Sequence, residues 1–273
     1  MQQRKIAFIG AGNMAQAIIA GLMESGYPAS LISVCAPSGN RRDGLAAKYG
    51  VISSSDNVRG AQQADVVILA VKPQMMASVC EPLRQQVDFS GKLVLSIAAG
   101  VSIARFQALL GEKPAIVRIM PNTPSLVGKG MSGLYAPATV SDADRVFSTA
   151  LMQSVGKVCW VEQESGINGV IAAAGSAPAY FFLFMEAMQQ EALRQGFDLD
   201  TARLLVQQAA CGAAALVEAN PDTPLSTLRE NVTSKGGTTA EALRVFNERQ
   251  LTQTVAEAMQ AAVNRAQEME KLF

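Results

Sequence analysis

Gly10, Gly12 and Ala15 form a G-x-G-x-x-A pattern, in which absent or minimal side chains let the backbone come close to a bound anion. The chemistry of such a turn is the holding of a pyrophosphate. Two glycines allow a sharp bend, the helix N-terminus offers free N–H groups and a partial positive charge, and the third small residue permits close helix–strand contact. A glycine-rich turn alone says little, so the flanks decide. Ile6 to Ile9 is a short continuous apolar run, as a parallel strand covered on both faces requires, while Met14, Ala17, Ile18, Gly21 and Leu22 recur at helical spacing. Strand, turn and helix in succession make Gly10, Ala11, Gly12, Asn13, Met14 and Ala15 a dinucleotide cradle.

The end of the next strand carries the second chemical signal. A dinucleotide with a free ribose 2′-hydroxyl is usually met there by Asp or Glu, about twenty residues past the glycines. Val34 to Arg42 contains no acid; the first is Asp43. A 2′-phosphate would be repelled by a carboxylate and attracted by Arg41 or Arg42, with Ser38 and Asn40 as hydrogen-bond donors. The expectation is NADPH, with NADH as the lesser alternative. A third signal lies late in the chain. Ser234, Lys235, Gly236, Gly237, Thr238 and Thr239 precede a helix expected to begin near Thr239, leaving backbone N–H groups and two hydroxyls to converge on a carboxylate. A plain helix cap with a flexible entry loop has the same spelling.

Composition narrows what these groups can do. There is no histidine, so the commonest general acid–base and metal ligand is missing. Cys35, Cys80, Cys159 and Cys211 are far apart with no C-x-x-C pair, as reduced thiols in a cytosolic protein would be, and no metal site is expected. Lys plus Arg equals Asp plus Glu at 23 each, so no net field draws the chain to nucleic acid or an anionic membrane. The first strand begins almost at once, which leaves no room for a signal segment and implies a cytoplasmic location.

The elements that must position these residues are legible as alternation. Strand-like runs at Leu31–Cys35, Val66–Val71, Leu93–Ile97 and Ile116–Ile119 are separated by helical patterns, which implies a parallel sheet with helices on both faces and a ligand beyond the strands' C-terminal ends. Val71-Lys72-Pro73 and Ser96 to Gly100 both fall on that edge, and Pro73 suits the first turn of a helix. Met131–Tyr135 and Val158–Val161 add possible strands around a helical Asp142–Ser154. From Glu164 the strand runs stop and helices rich in Ala, Gln, Glu and Leu follow, so two domains are expected, 1–163 and 164–273. Gly169 to Met188 approaches the apolarity of a membrane span, but Gly175, Ser176, Pro178 and Glu186 interrupt it, and a helix buried on most sides is expected.

Taken in order, Phe8-Ile9-Gly10 with Gly12-Asn13-Met14, Ala70 to Gln74, Ser96 to Gly100, Arg118 to Pro124, Gly175 to Tyr180 and Val232 to Thr239 resemble the motifs of the pyrroline-5-carboxylate reductases, over essentially the whole chain. The resemblance implies a doubly wound α/β domain of Rossmann type followed by an all-α dimerisation domain, and NAD(P)H-dependent reduction of the cyclic imine 1-pyrroline-5-carboxylate to L-proline, the last step of proline biosynthesis. It implies that Asn57 and Ala70-Val71-Lys72-Pro73 line the adenosine and ribose, that Ala98 and Ala99 approach the nicotinamide, and that Glu164, Ser176, Asn231 and Ser234 to Thr239 meet the substrate. Thr239 is the candidate for a hydroxyl near the imine nitrogen. Lys235 departs from the family, where proline often stands. Two prolines at 121 and 124 fix an irregular segment that is either a structural bend or a substrate contact.

Other readings differ in what they need. A hydroxy-acid dehydrogenase of similar build would carry a lysine on an early helix of the second domain, whereas past Glu164 this chain has only Lys235 and Lys271. A non-catalytic NADP-binding protein would need no loop at Ser234 to Thr239, and a reductase of another cyclic imine would share every motif. Val255, Met259, Ala262, Ala266 and Met269 recur at steps of four and three, a seam suited either to another chain or to packing within the domain. With a helical domain small for its own core, a homodimer is expected. The resemblance implies interlocked helical domains with an active site shared between the two chains, and the possibility of a ring of dimers.

Overall fold

Ile6, Ala7, Phe8 and Ile9 are all buried, so the first strand is covered on both faces, and its alternate residues feed two separate cores. The computed structural model describes residues 2–272. Its strands are β1 (Ile6–Ile9), β2 (Ile32–Cys35), β3 (Ile52–Ser54), β4 (Val66–Leu69), β5 (Leu93–Ser96), β6 (Ala115–Met120), β7 (Gly130–Tyr135) and β8 (Gly156–Trp160). They form one sheet in the order β3-β2-β1-β4-β5-β6-β7-β8. Ile6 and Phe8 join Ile32, Val34, Val66, Ile68 and Leu95 in one core. That core is closed by α1 (Asn13–Glu24), α2 (Gly39–Tyr49) and α6 (Asp142–Gln153). Ala7 and Ile9 join Val67, Leu69 and Val94 under α3 (Asn57–Gln63), α4 (Met76–Gln86) and α5 (Ile103–Leu110). Helices on both faces of a sheet parallel through β6 are the expected doubly wound fold.

Two features depart from the expected alternation. β7 runs antiparallel to β6, with Arg118 opposite Tyr135, because only a short 3-10 turn at Thr123–Val127 joins them and a parallel return needs a longer crossover. After β7 the crossover helix α6 restores parallel pairing with β8. The strand β3 has no counterpart among the expected runs: two of its three residues are serines, and Ile52 is exposed at the sheet edge.

The second half is helical: α7 (Gly166–Val170), a π-helical turn at Ile171–Gly175, α8 (Ala177–Arg194), α9 (Leu199–Ala219), α10 (Leu225–Asn231), α11 (Thr238–Glu248) and α12 (Leu251–Leu272). By internal contacts the chain forms two compact units that do not part at the expected 163/164 boundary. One runs through Pro178 and takes in the chain from Ala261 onward; the other is Ala179–Gln260. The stripe on α12 is divided accordingly. Ala266 is buried against Ile167 and Ile171 within the first unit, while Val255 stays exposed in the second.

The helical unit has little interior of its own. Its buried apolar side chains among the described residues are Ala202 and Val206, whereas Phe181, Phe182, Leu183 and Leu204 are all more than 60% exposed. The expectation that Gly169 to Met188 is buried on most sides therefore fails within one chain, since α8 contains no buried residue. The segment 166–194 is long and apolar enough to cross a membrane, although a π-helical turn interrupts it.

Candidate active site

The glycine turn sits where the chain leaves neighbouring strands β1 and β4 toward opposite sides of the sheet, the position at which doubly wound folds bind ligands. Gly10 has φ +114°, a conformation side chains rarely adopt, and its N–H donates to the carbonyl of Cys35 at 2.8 Å. A Cβ placed there would lie 2.5 Å from the Ala70 carbonyl oxygen and 3.1 Å from Val71. Beyond the turn, Gly12 caps α1 without any side-chain acceptor, so the N–H groups of the first turn remain for an anion. Ala15 is buried, which lets α1 lie close to the sheet.

Asn57 opens α3, whose first turn is capped by Asp56 accepting from Val58 and Arg59. The buried Asn57 Oδ1 has no hydrogen-bond partner, a debt that a ligand hydroxyl can settle. Lys72 is exposed before a 3-10 turn that Pro73 begins, and this turn leads into α4. An uncapped helix start, a crowded glycine and an orphaned amide oxygen on one sheet edge fit a dinucleotide.

Beyond β2 the two arginines are not equivalent. Arg42 donates from Nη1 to the Ala36 carbonyl at 2.6 Å and from Nε to Asp43 Oδ1 at 2.9 Å, and Ser53 donates to the same carboxylate at 2.5 Å. The Arg42 guanidinium, then the Ser53 hydroxyl, hold the Asp43 carboxyl below its ordinary range. Arg41, Ser38 and Asn40 are exposed, and Ser38 caps no N–H of α2.

Ala98 and Ala99 follow β5, with the Ala98 N–H donating to Ser96 Oγ at 3.3 Å. Glu164 lies in the same unit, where its Oε1 accepts from the Ile103 N–H at 2.7 Å and from Arg118 Nη1 at 2.6 Å. Arg118 is a functional candidate that the sequence reading passed over; its signal was a lone charge inside the apolar run of β6. In the two-proline segment, Asn122 is buried and structurally engaged, donating to the Ala174 carbonyl at 3.0 Å and accepting from Met131 N–H at 2.8 Å. Ser176 closes the π-helical turn, its N–H donating to Ile171 O at 2.7 Å.

In the helical unit Gly236 has φ +72°, and the Gly237 N–H donates to the Ser234 carbonyl at 3.0 Å. A side chain on Gly237 would collide with Ser234 Oγ. α11 begins at Thr238, one residue earlier than expected, with Gly237 as a cap lacking a side-chain acceptor. Thr238 and Thr239 thus stand in an open first turn, and Asn231 ends α10 exposed. Among the described residues no group of His, Cys, Asp or Glu suits a metal ion. All four cysteines are free, and burial pushes the Cys80 thiol up to about 12.

Residues 164–269 match the family model described as pyrroline-5-carboxylate reductase dimerisation, and residues 5–100 match one described as NADP oxidoreductase, coenzyme F420-dependent. The chain is 66% identical over 273 residues to a pyrroline-5-carboxylate reductase of Vibrio alginolyticus, covering 100% of both. A solved pyrroline-5-carboxylate reductase of Coxiella burnetii, 41% identical, superposes with a TM-score of 0.93 over 98% of this chain and 99% of that one. The pyrroline carboxylate reductase of Plasmodium falciparum with NADP bound, 27% identical, gives 0.87 over 99% of each.

The crowding at Gly10 yields a direct expectation. Gly10→Val should weaken dinucleotide binding, read by fluorescence titration, by about a hundredfold or more while far-UV circular dichroism is retained. Binding within twofold of the parent would place the anion elsewhere.

Proposed function

Because the chain belongs to the pyrroline-5-carboxylate reductase family, we propose that its glycine turn holds NADPH for hydride transfer to a substrate fixed by the Ser234 to Thr239 loop. The chain is an oxidoreductase, and it reduces 1-pyrroline-5-carboxylate to L-proline, as its close relatives are named for doing. The observation that carries the cofactor half is the approach of Gly10 to the Ala70 carbonyl beside an uncapped α1. Gly10 to Ala15 hold the pyrophosphate, Asn57 and Ala70 to Pro73 line the adenosine and ribose, and Ala98 and Ala99 flank the nicotinamide. Preference for NADPH over NADH rests on the missing acid after β2 and on Arg41, with Ser38 and Asn40, left free while Arg42 is tied to Ala36 and Asp43. Arg42 then shapes the turn that presents its neighbour.

The nicotinamide supplies the hydride when bound. The protein's part is placement. The N–H groups of the α11 first turn and the hydroxyls of Ser234, Thr238 and Thr239 hold the substrate carboxylate, with Asn231, Ser176 and Glu164 as further substrate positions. A pyrroline nitrogen can carry its proton before the hydride arrives, so the site needs no strong general acid. A chain without histidine can meet that demand. Thr239 hydrogen-bonds near the imine nitrogen, and holding the two rings in register provides most of the acceleration.

The chain carries a dimerisation domain. The exposed apolar faces of α8 and α9 support a homodimer in which one chain's loop completes its partner's pocket, with a ring of dimers as a further step of assembly. A cytoplasmic location agrees with four free cysteines.

Three variants test this reading. Thr239→Ala should lower turnover or substrate affinity by about tenfold while NADPH affinity stays. Arg41→Ala should raise the KM for NADPH by about tenfold and leave that for NADH unchanged, with Arg42→Ala less selective. Mixing Arg41→Ala chains with Thr239→Ala chains should recover part of the activity once subunits exchange. Parent kinetics in Thr239→Ala, or equal use of both cofactors by the parent, would contradict the assignments.

A further inference from the structure

Arg118 is 2% exposed, and its Nη1 donates to two carboxylates, Glu164 Oε1 at 2.6 Å and Glu270 Oε1 at 3.1 Å. Removing a guanidinium from water is costly, so a paired arginine at this depth specifies an arrangement more than it adds stability. The three segments brought together are β6, the residues just before α7 and the last turn of α12. Around them the same groups reach the turn that follows β5. Glu164 Oε1 also accepts from the Ile103 N–H, the first of α5, at 2.7 Å. Glu270 Oε2 accepts from Asn168 Nδ2 at 3.4 Å. One residue before Glu270, Met269 packs on Gly100, where an added Cβ would lie 2.8 Å from the Met269 Cβ. Arg118 itself sits across from Ser96, whose Oγ accepts from the Ala98 N–H.

Residues 98–103 are therefore gripped at three places: by Ser96 at the start, by Met269 at Gly100, and by Glu164 at Ile103. Gly100 adopts φ +73°, so the turn folds back sharply at the point where α12 meets it. Of the three grips the one at Gly100 comes from α12, whose last turn is tied to Arg118 through Glu270.

We infer that Arg118, Glu270 and Met269 are positioning residues for hydride transfer: the cluster seats the end of α12 against Gly100 and so sets where Ala98 and Ala99 stand. This rests on the reading that Ala98 and Ala99 flank the nicotinamide. The adenosine end of the cofactor is held by other elements, so loosening the clasp misplaces the ring without releasing the dinucleotide. A displacement of an ångström at the reacting centre is enough to slow transfer by an order of magnitude or more.

The test uses Glu270→Gln, which keeps the side-chain shape, and Met269→Ala, which leaves every charge in place. Both should lower kcat by about tenfold with the KM for NADPH within about twofold of the parent. The primary deuterium isotope effect on kcat should rise as transfer becomes limiting, a change that lost stability alone does not produce. Glu270→Asp should recover part of the turnover. Ala99→Leu serves as the reference for the turn itself. If Ala99→Leu loses turnover while Glu270→Gln and Met269→Ala keep parent kcat and isotope effect, the inference fails alone. Full turnover in Ala99→Leu would remove the turn from the nicotinamide, and the inference with it.

Discussion

The approach of the Gly10 backbone to the Ala70 carbonyl is the contact from which the first unit takes its arrangement. It exists because β1 and β4 pair in parallel and in register, Ile9 beside Leu69, and both strands end on the same edge. With no side chain at Gly10, the chain turns at φ +114° and enters α1 within three residues. Small residues then carry the geometry along the helix. Ala15 is buried near its start, and at Gly21 an added Cβ would collide with the Ser154 carbonyl and lie 2.6 Å from Val155. A bulky residue at any of these would push α1 away from the sheet and move the N–H groups that an anion needs. The edge proposed to hold the dinucleotide is thus built mainly of backbone, from the crowded Gly10 turn to the uncapped start of α1.

The second unit is governed by a different constraint, the shortage of interior. Hydrophobic stabilisation scales with apolar area removed from water, and α8 presents Phe181, Phe182 and Leu183 outward. A ring contact between Phe184 and Phe246, with centroids 5.9 Å apart, and the burial of Ala202 and Val206 are little to hold helices of this length. A dimerisation domain is consistent with that shortage, since apolar surface left open in one chain can become interior when a second covers it. Where a chain folds only as it assembles, stability depends on protein concentration.

What was legible in the sequence follows the same division. The strand–turn–helix at Ile6 to Leu22 could be read because a change of period, from continuous apolar to helical, marks the turn by itself. β3 could not, since a short edge strand with two serines carries almost no apolar signal. The antiparallel turn to β7 was hidden in an absence, the lack of a crossover helix between Met120 and Gly130. The inequality of Arg41 and Arg42 depends on where Asp43, Ala36 and Ser53 come to lie, which spacing does not specify. The stripe on α12 was recognisable as a seam, but periodicity has no term for its partner. Its later part is taken up within the first unit at Ala266 and Met269, and its earlier part remains open at Val255. The Arg118 cluster joins residues up to 152 positions apart, beyond the reach of any local pattern.

Deuterium transfer from the cofactor decides whether hydride passes directly to the imine carbon. The protein is supplied with NADPH deuterated on the reactive face of nicotinamide C4 and with 1-pyrroline-5-carboxylate, and the proline formed is examined by mass and NMR. One deuterium per molecule is expected, carried by the ring carbon that was the imine carbon. No oxidation of NADPH is expected when a keto acid replaces the imine or when no acceptor is present. Proline formed without deuterium, or equal oxidation with a keto acid, would contradict direct hydride transfer to the imine.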